Sequence, residues 1–160
     1  MRALIIVLII GFAAGGSVSA QPVSCTAQIS SAILAFGNIV PASPTATSAM
    51  LGDFVVNCEN QTGANRTVTL TMTISAGSSG SQAQREMIRA GAVSPLLYNL
   101  YQDAAYTTVW PVTTSASESL PVPRFGSAEL RRPIFGRVPG SQAAVTPGLY
   151  SDSLTATVTY

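Results

Sequence analysis

Between Thr67 and Ile74 the chain alternates without a break: Val68, Leu70, Met72 and Ile74 are apolar, and Thr67, Thr69, Thr71 and Thr73 stand between them. A period of two sends successive side chains to opposite faces of an extended backbone, so this is a strand with one face buried. The threonines suit the pleat because they branch at Cβ, and they face away from the core. Phe54, Val56 and Cys58 keep the same spacing upstream. After the turn dipeptide Pro147-Gly148, the residues Tyr150, Asp152, Leu154, Ala156, Val158 and Tyr160 alternate with serines and threonines. That last strand is expected to run to Tyr160 with no tail behind it.

Further strands are expected at Ile33 to Phe36, Leu96 to Tyr101, Tyr106 to Trp110, Leu120 to Val122 and Ile134 to Val138. Pro121, Pro123, Pro133 and Pro139 cannot donate to a ladder, so the segments around them should be edges or short pieces. Ser81-Gln82-Ala83-Gln84 has the form of a helix start and predicts one or two helical turns over Arg85 to Ala90. About seven short strands punctuated by Gly, Pro and Ser, with no internal repeat or linker, predict one all-β domain of the immunoglobulin-like sandwich type.

The first twenty residues carry Arg2, an apolar run from Ala3 to Ala14, and small residues ending in Ser19-Ala20. This is the pattern of a secretory signal peptide over 1–20, with cleavage expected after Ala20 and the domain occupying 21–160. The run is too short for a membrane span, which needs about 20 apolar residues. Cys25 and Cys58 both lie in the exported part, and in an oxidising compartment such a pair is expected to form a disulfide. Closing that loop stabilises the fold by about 3 to 4 kcal/mol on the chain-entropy account. Two thiols with no histidine cannot complete a structural zinc site, unless carboxylates supply the missing ligands.

Charged residues form only 9% of the chain, against roughly 25% in an average domain, and all eight basic residues are arginine. Loss of Arg2 with the signal leaves seven arginines against seven acids, a neutral chain without the repulsion that keeps monomers apart. No basic stripe exists for nucleic acid. Histidine is absent, which removes the usual general base and nucleophile activator. Gly77-Ser78-Ser79-Gly80 lacks the lysine of a phosphate loop and reads as a flexible turn. The seven acids, Asp53, Glu59, Glu86, Asp103, Glu118, Glu129 and Asp152, are scattered singly, with no spacing that pairs two for sugar hydrolysis. Asp152 alone falls on the apolar register, where a local hydrogen bond at the start of the strand is expected. Tyr98, Tyr101, Tyr106 and Trp110 cluster in sequence and read as core or rim packing before sugar or partner stacking. Neither a catalytic residue nor a cofactor, metal or small-molecule substrate is expected.

Taken in order, Cys25, Phe36-Gly37, Val55-Val56-Asn57-Cys58, Thr69-Leu70, Arg85-Glu86-Met87, Leu97-Tyr98-Asn99-Leu100-Tyr101-Gln102-Asp103, Ile134-Phe135-Gly136-Arg137-Val138-Pro139, Gln142 and Gly148-Leu149-Tyr150 through Tyr160 form a pattern that resembles the spore coat protein U domain family. The resemblance spans nearly all of Cys25 to Tyr160. It implies an incomplete immunoglobulin-like sandwich, held by a periplasmic chaperone, passed to an outer-membrane usher and completed by a strand from a neighbouring pilus subunit. A sandwich short of one strand exposes apolar side chains and unpaired backbone groups that another chain must cover. The expected function is that of a secreted structural subunit of a surface pilus, with a self-assembling coat protein or a sugar-binding adhesin module as alternatives.

Two positions depart from the family. Only Gln21-Pro22-Val23-Ser24 precede Cys25 after cleavage; four residues reach about 13 Å, short of a typical strand of about 17 to 20 Å. The chain is therefore expected to accept a strand and donate none, at a fibre end or in a minor role. Trp110-Pro111-Val112 stands where family members often have Trp-Gly-Asp.

Overall fold

The computed structural model describes residues 5–10, 22–31, 35–112 and 117–160, with backbone pairing alone for 5–10. Nine strands are present among them: β1 (Ile5–Ile10), β2 (Val23–Ile29), β3 (Thr47–Asn60), β4 (Arg66–Ile74), β5 (Arg85–Met87), β6 (Leu96–Tyr101), β7 (Glu118–Val122), β8 (Ser127–Val138) and β9 (Ser151–Thr159). They form two sheets, β1-β9-β4-β7 and β2-β3-β8-β6-β5, in an all-β arrangement compatible with an immunoglobulin-like sandwich. The one helical element among the described residues is a 3₁₀ turn at Gly77–Ser79.

The alternation that marked β4 and β9 in the sequence now has its cause. Val68, Leu70, Met72 and Ile74 of β4 are buried beside Leu154, Ala156 and Val158 of β9, which pairs antiparallel with it from Thr71↔Thr159 to Ile74↔Ala156. The opposite sheet contributes Phe54, Val56, Cys58, Leu100 and Ile134, each at most 1% exposed. Between the layers Phe54 stacks on Trp110 with ring centroids 5.8 Å apart, and Phe36 meets Tyr98 edge-on at 5.9 Å. Cys25 and Cys58 are direct register partners in β2 and β3 and are joined as a disulfide, with their Cα atoms 4.1 Å apart.

Three expectations are corrected. Arg85 to Ala90 contains no helix: Arg85–Met87 is β5, because Arg85 and Met87 both point inward and are fully buried, a two-residue spacing a helix cannot serve. Tyr106 to Trp110 is not a strand; Asp103 accepts from the backbone N–H groups of Thr107 and Thr108 and winds the segment into a turn, leaving a single bridge from Tyr101 to Val109. Ile134 to Val138 is the end of a 12-residue interior strand, not a short piece. Pro133 is tolerated there because β6 covers β8 only at Phe135–Arg137, so at Pro133 the strand has β3 on one side and no ladder on the other. The strand expected at Ile33 to Phe36 falls partly on 32–34, outside the described residues; Phe36 itself is buried but not in a strand. A bulge in β3 between Met50 and Gly52 bends the long strand. Gly52 has φ +143°, and a Cβ there would lie 2.9 Å from the Ser30 hydroxyl that accepts the Asp53 N–H.

Candidate functional site

The feature with the clearest chemical consequence is what lies on either side of β9. One side of this strand pairs with β4; the other pairs, in parallel, with β1 over six register positions from Ile5↔Ser151 to Ile10↔Ala156. The segment that borders β9 on this side thus lies within residues 1–20, the stretch expected from its sequence to be a signal peptide. β9 directs Leu154, Ala156 and Val158 into the core, so whatever lies beside it must be apolar on alternate residues. Across the gap to the other sheet, Ala27, Ile29, Phe54 and Ala156 line a recess too narrow to admit water.

A buried polar clasp fixes the start of β9. The Asp152 carboxylate, 3% exposed, accepts from the Tyr98 hydroxyl at 2.7 Å, from the Ser78 N–H and hydroxyl at 2.8 Å each, and from the Ser153 N–H at 2.9 Å. The expected local bond is there, and three longer-range bonds tie the strand to β6 and to the 3₁₀ turn. Gly77 makes this approach possible: its φ is +66°, and a Cβ would sit 2.0 Å from the Asp152 carboxylate. The turn at Gly77–Ser79 is therefore a fixed part of the clasp and not the flexible segment its composition suggests.

Beside the clasp lies Arg85, fully buried. Its guanidinium donates to the carbonyls of Ser75, Ile74 and Trp110 at 2.9, 2.8 and 3.0 Å, and to the Asn99 side-chain oxygen at 2.6 Å. Burial lowers its pKa, opposed by Tyr98 and by the Asp152 charge. Tyr98 is raised well above the usual tyrosine range, first by burial, then by the charge and hydrogen bond of Asp152. The sequence marks this arginine only through the family pattern Arg85-Glu86-Met87, in a segment expected to be helical; the carbonyls that gather around it reveal the role.

The remaining singled-out residues separate. Tyr98 and Trp110 are core, each 1% exposed, whereas Tyr101 and Tyr106 lie half-buried outside it with their rings edge-to-face at 5.5 Å. Glu118 pairs with Arg132, Glu129 and Asp53 both approach Arg131, and Asp103 caps its own turn, which holds its carboxyl below the usual range. No two carboxylates face one another in these pairings, and among the described residues no group of three His, Cys, Asp or Glu side chains could hold a metal ion. Among the same residues no helix is long and apolar enough to cross a membrane.

Two sheets braced by one disulfide, with no cluster of metal-ligating side chains among the described residues, define an all-β domain of structural type. The family model of the spore coat protein U domain matches residues 15–157, and the chain belongs to that family. It is a family of structural coat and pilus domains, not of enzymes. No curated protein matches the sequence.

Proposed function

We propose that this chain is an exported structural subunit of a surface pilus, assembled along a chaperone-usher route by strand donation. The observation that carries the reading is the origin of β1. Its six residues, Ile5 to Ile10, belong to the segment proposed to leave as a signal peptide, and their departure strips β9 of its only partner on that side. The vacated edge, Ser151 to Ala156, has unpaired backbone groups beside the apolar side chains of Leu154 and Ala156, a surface that another strand covers better than water does. A periplasmic chaperone would cover it first and a neighbouring subunit afterwards. β2 begins at Val23 and is committed to β3, so the mature N-terminus supplies no strand of its own and the subunit acts as an acceptor.

Co-purification of the mature chain from the periplasm tests this: a second protein should accompany it in fixed ratio, and the β9 amides should exchange with solvent once it is removed. A stable lone monomer with protected β9 amides would refute strand acceptance. The family's description as a coat domain supports one alternative, coat assembly without a chaperone, which predicts that the lone chain is soluble and polymerises unaided.

A further inference from the structure

Apart from the strand edge, the molecule holds a cavity of about 350 Å³ between the end of β8, the 44–46 segment and the residues preceding β5. That volume lies within the roughly 300 to 1,000 Å³ usual for small-ligand sites. Its walls are fixed by bonds of the chain itself. The N–H groups of Ser141 and Gln142 donate to the Ser43 and Pro41 carbonyls at 2.7 Å each, and the Gln142 side chain donates to the Pro139 carbonyl at 2.8 Å. Gly140 abuts the opposite wall so closely that a Cβ would lie 2.4 Å from the Pro44 carbonyl oxygen.

The Asn99 amide on the floor is consumed internally, by Arg85, Gln82 and Ala83. Three lining side chains are not. Gln84, the Tyr101 hydroxyl and Arg137 make no side-chain hydrogen bond or ion pair with any described residue.

Arg137 is held in place without a carboxylate. Its guanidinium carbon lies 5.4 Å from the centroid of the Tyr106 ring, which is itself set edge-to-face between Tyr101 and Phe135. Tyr106 occupies the left-handed region with φ 59°, a conformation that costs a non-glycine residue about 1 to 2 kcal/mol. The Asp103 turn, whose carbonyl accepts the Tyr106 N–H at 3.1 Å, imposes that backbone. Strain is thus retained at the residue that seats an unneutralised cation at a cavity mouth.

We infer that this cavity binds a carboxylated sugar, such as one uronate unit of an acidic polysaccharide. A guanidinium fork matches one carboxylate, and a lone cation suits a monoanion better than a phosphate dianion. Tyr101 lines the cavity with an aromatic ring of the kind that packs against the C–H side of a pyranose, and the Gln84 amide can both donate to and accept from ring hydroxyls. None of the lining residues belongs to β1 or β9, so the inference stands apart from strand acceptance.

Titration calorimetry of the full chain, in whatever complex it leaves the periplasm, with oligogalacturonate, its methyl ester and neutral oligogalactose is the test. The acid form should bind, and the ester and the neutral sugar at least tenfold more weakly. Arg137→Gln and Tyr101→Ala should each lose at least tenfold, with the melting temperature of Arg137→Gln unchanged because the side chain is exposed. Arg124→Gln, at an exposed arginine outside the cavity, should bind like the parent. Absence of binding at millimolar ligand, equal binding of acid and ester, or equal losses at Arg124 and Arg137 would each overturn the assignment.

Discussion

Replacing Arg85 should be among the most damaging single changes in the molecule. The substitution Arg85→Ala withdraws donors from the carbonyls of Ile74, Ser75 and Trp110 and from the Asn99 side chain. A buried acceptor left without its donor costs about 1 to 3 kcal/mol, so three carbonyls alone amount to roughly 3 to 9 kcal/mol. Relief from burying a charge, several kcal/mol, offsets part of this, and the void left behind adds to it. A net loss of about 3 to 5 kcal/mol follows, which is comparable to the whole stability of a marginal domain. Arg85→Met separates volume from bonding: it fills much of the space yet leaves the carbonyls bare, and should still lose about 2 to 4 kcal/mol. Urea denaturation of the folded form resolves this, because at a slope of about 2 kcal/mol per molar the midpoint moves by roughly 1 to 2 M. A methionine variant within about 1 kcal/mol of the parent would show that the carbonyls do not need this cation, and the reasoning would fail.

Other expectations concern the clasp and the brace. Gly77→Ala should destabilise by more than about 2 kcal/mol, since backbone strain combines with collision against Asp152, whereas Gly80→Ala, at φ +67° with nothing within 4 Å, should cost only the strain of about 1 to 2 kcal/mol; equal melting curves for the two would contradict the clasp geometry. Tyr98 has a folded pKa raised above its unfolded value of about 10, so its contribution is complete below pH 10 and is lost as pH climbs toward the folded value. Unfolding free energy measured from pH 8 to 11.5 should accordingly fall at the alkaline end in the parent and fall less in Tyr98→Phe. Cys58→Ala, which opens a bridge between residues 33 apart, should lose about 3 to 4 kcal/mol and lower the melting temperature by roughly 10 °C; reducing agent should have no further effect on it.

Strands with one face in the core were legible because each obeyed a single rule. β4 and β9 declared themselves by strict alternation, and the burial of Leu70, Ile74, Leu154 and Val158 is the reason that alternation exists. Arg85 broke the rule. A charge at an inward position hid the alternation, the helix-start pattern of Ser81 to Gln84 suggested a helix instead, and only the convergence of carbonyls from two distant segments makes a buried arginine acceptable there. The turn at Tyr106 was missed for a related reason: apolar and aromatic residues suggested a strand, while Asp103, four residues before Thr107, held the decisive bonds. Pro133 misled because a proline's cost depends on whether a neighbour lies on its donor side, which is a property of the sheet. The aromatic run could not be divided in advance, since Tyr98 and Tyr101 differ by an odd number of positions and hence lie on opposite faces of β6, a difference that matters only once one face is known to be solvent. The cavity near Arg137 joins residues from four separated stretches and left no local trace.

The ladder pattern sets the tempo at which the molecule can form. β3 meets β8 with partners as far apart as Thr47 and Val138, and β4 meets β9 with Thr71 opposite Thr159. β2 and β3 can pair early, but neither layer is complete until both halves of the polypeptide are present, and non-local pairing of this kind moves folding into the millisecond-to-second range. During that interval the valines and leucines of half-built sheets are open to any passing strand. A slow assembler gains from an escort on kinetic grounds alone, whatever lies beside β9 in the finished molecule.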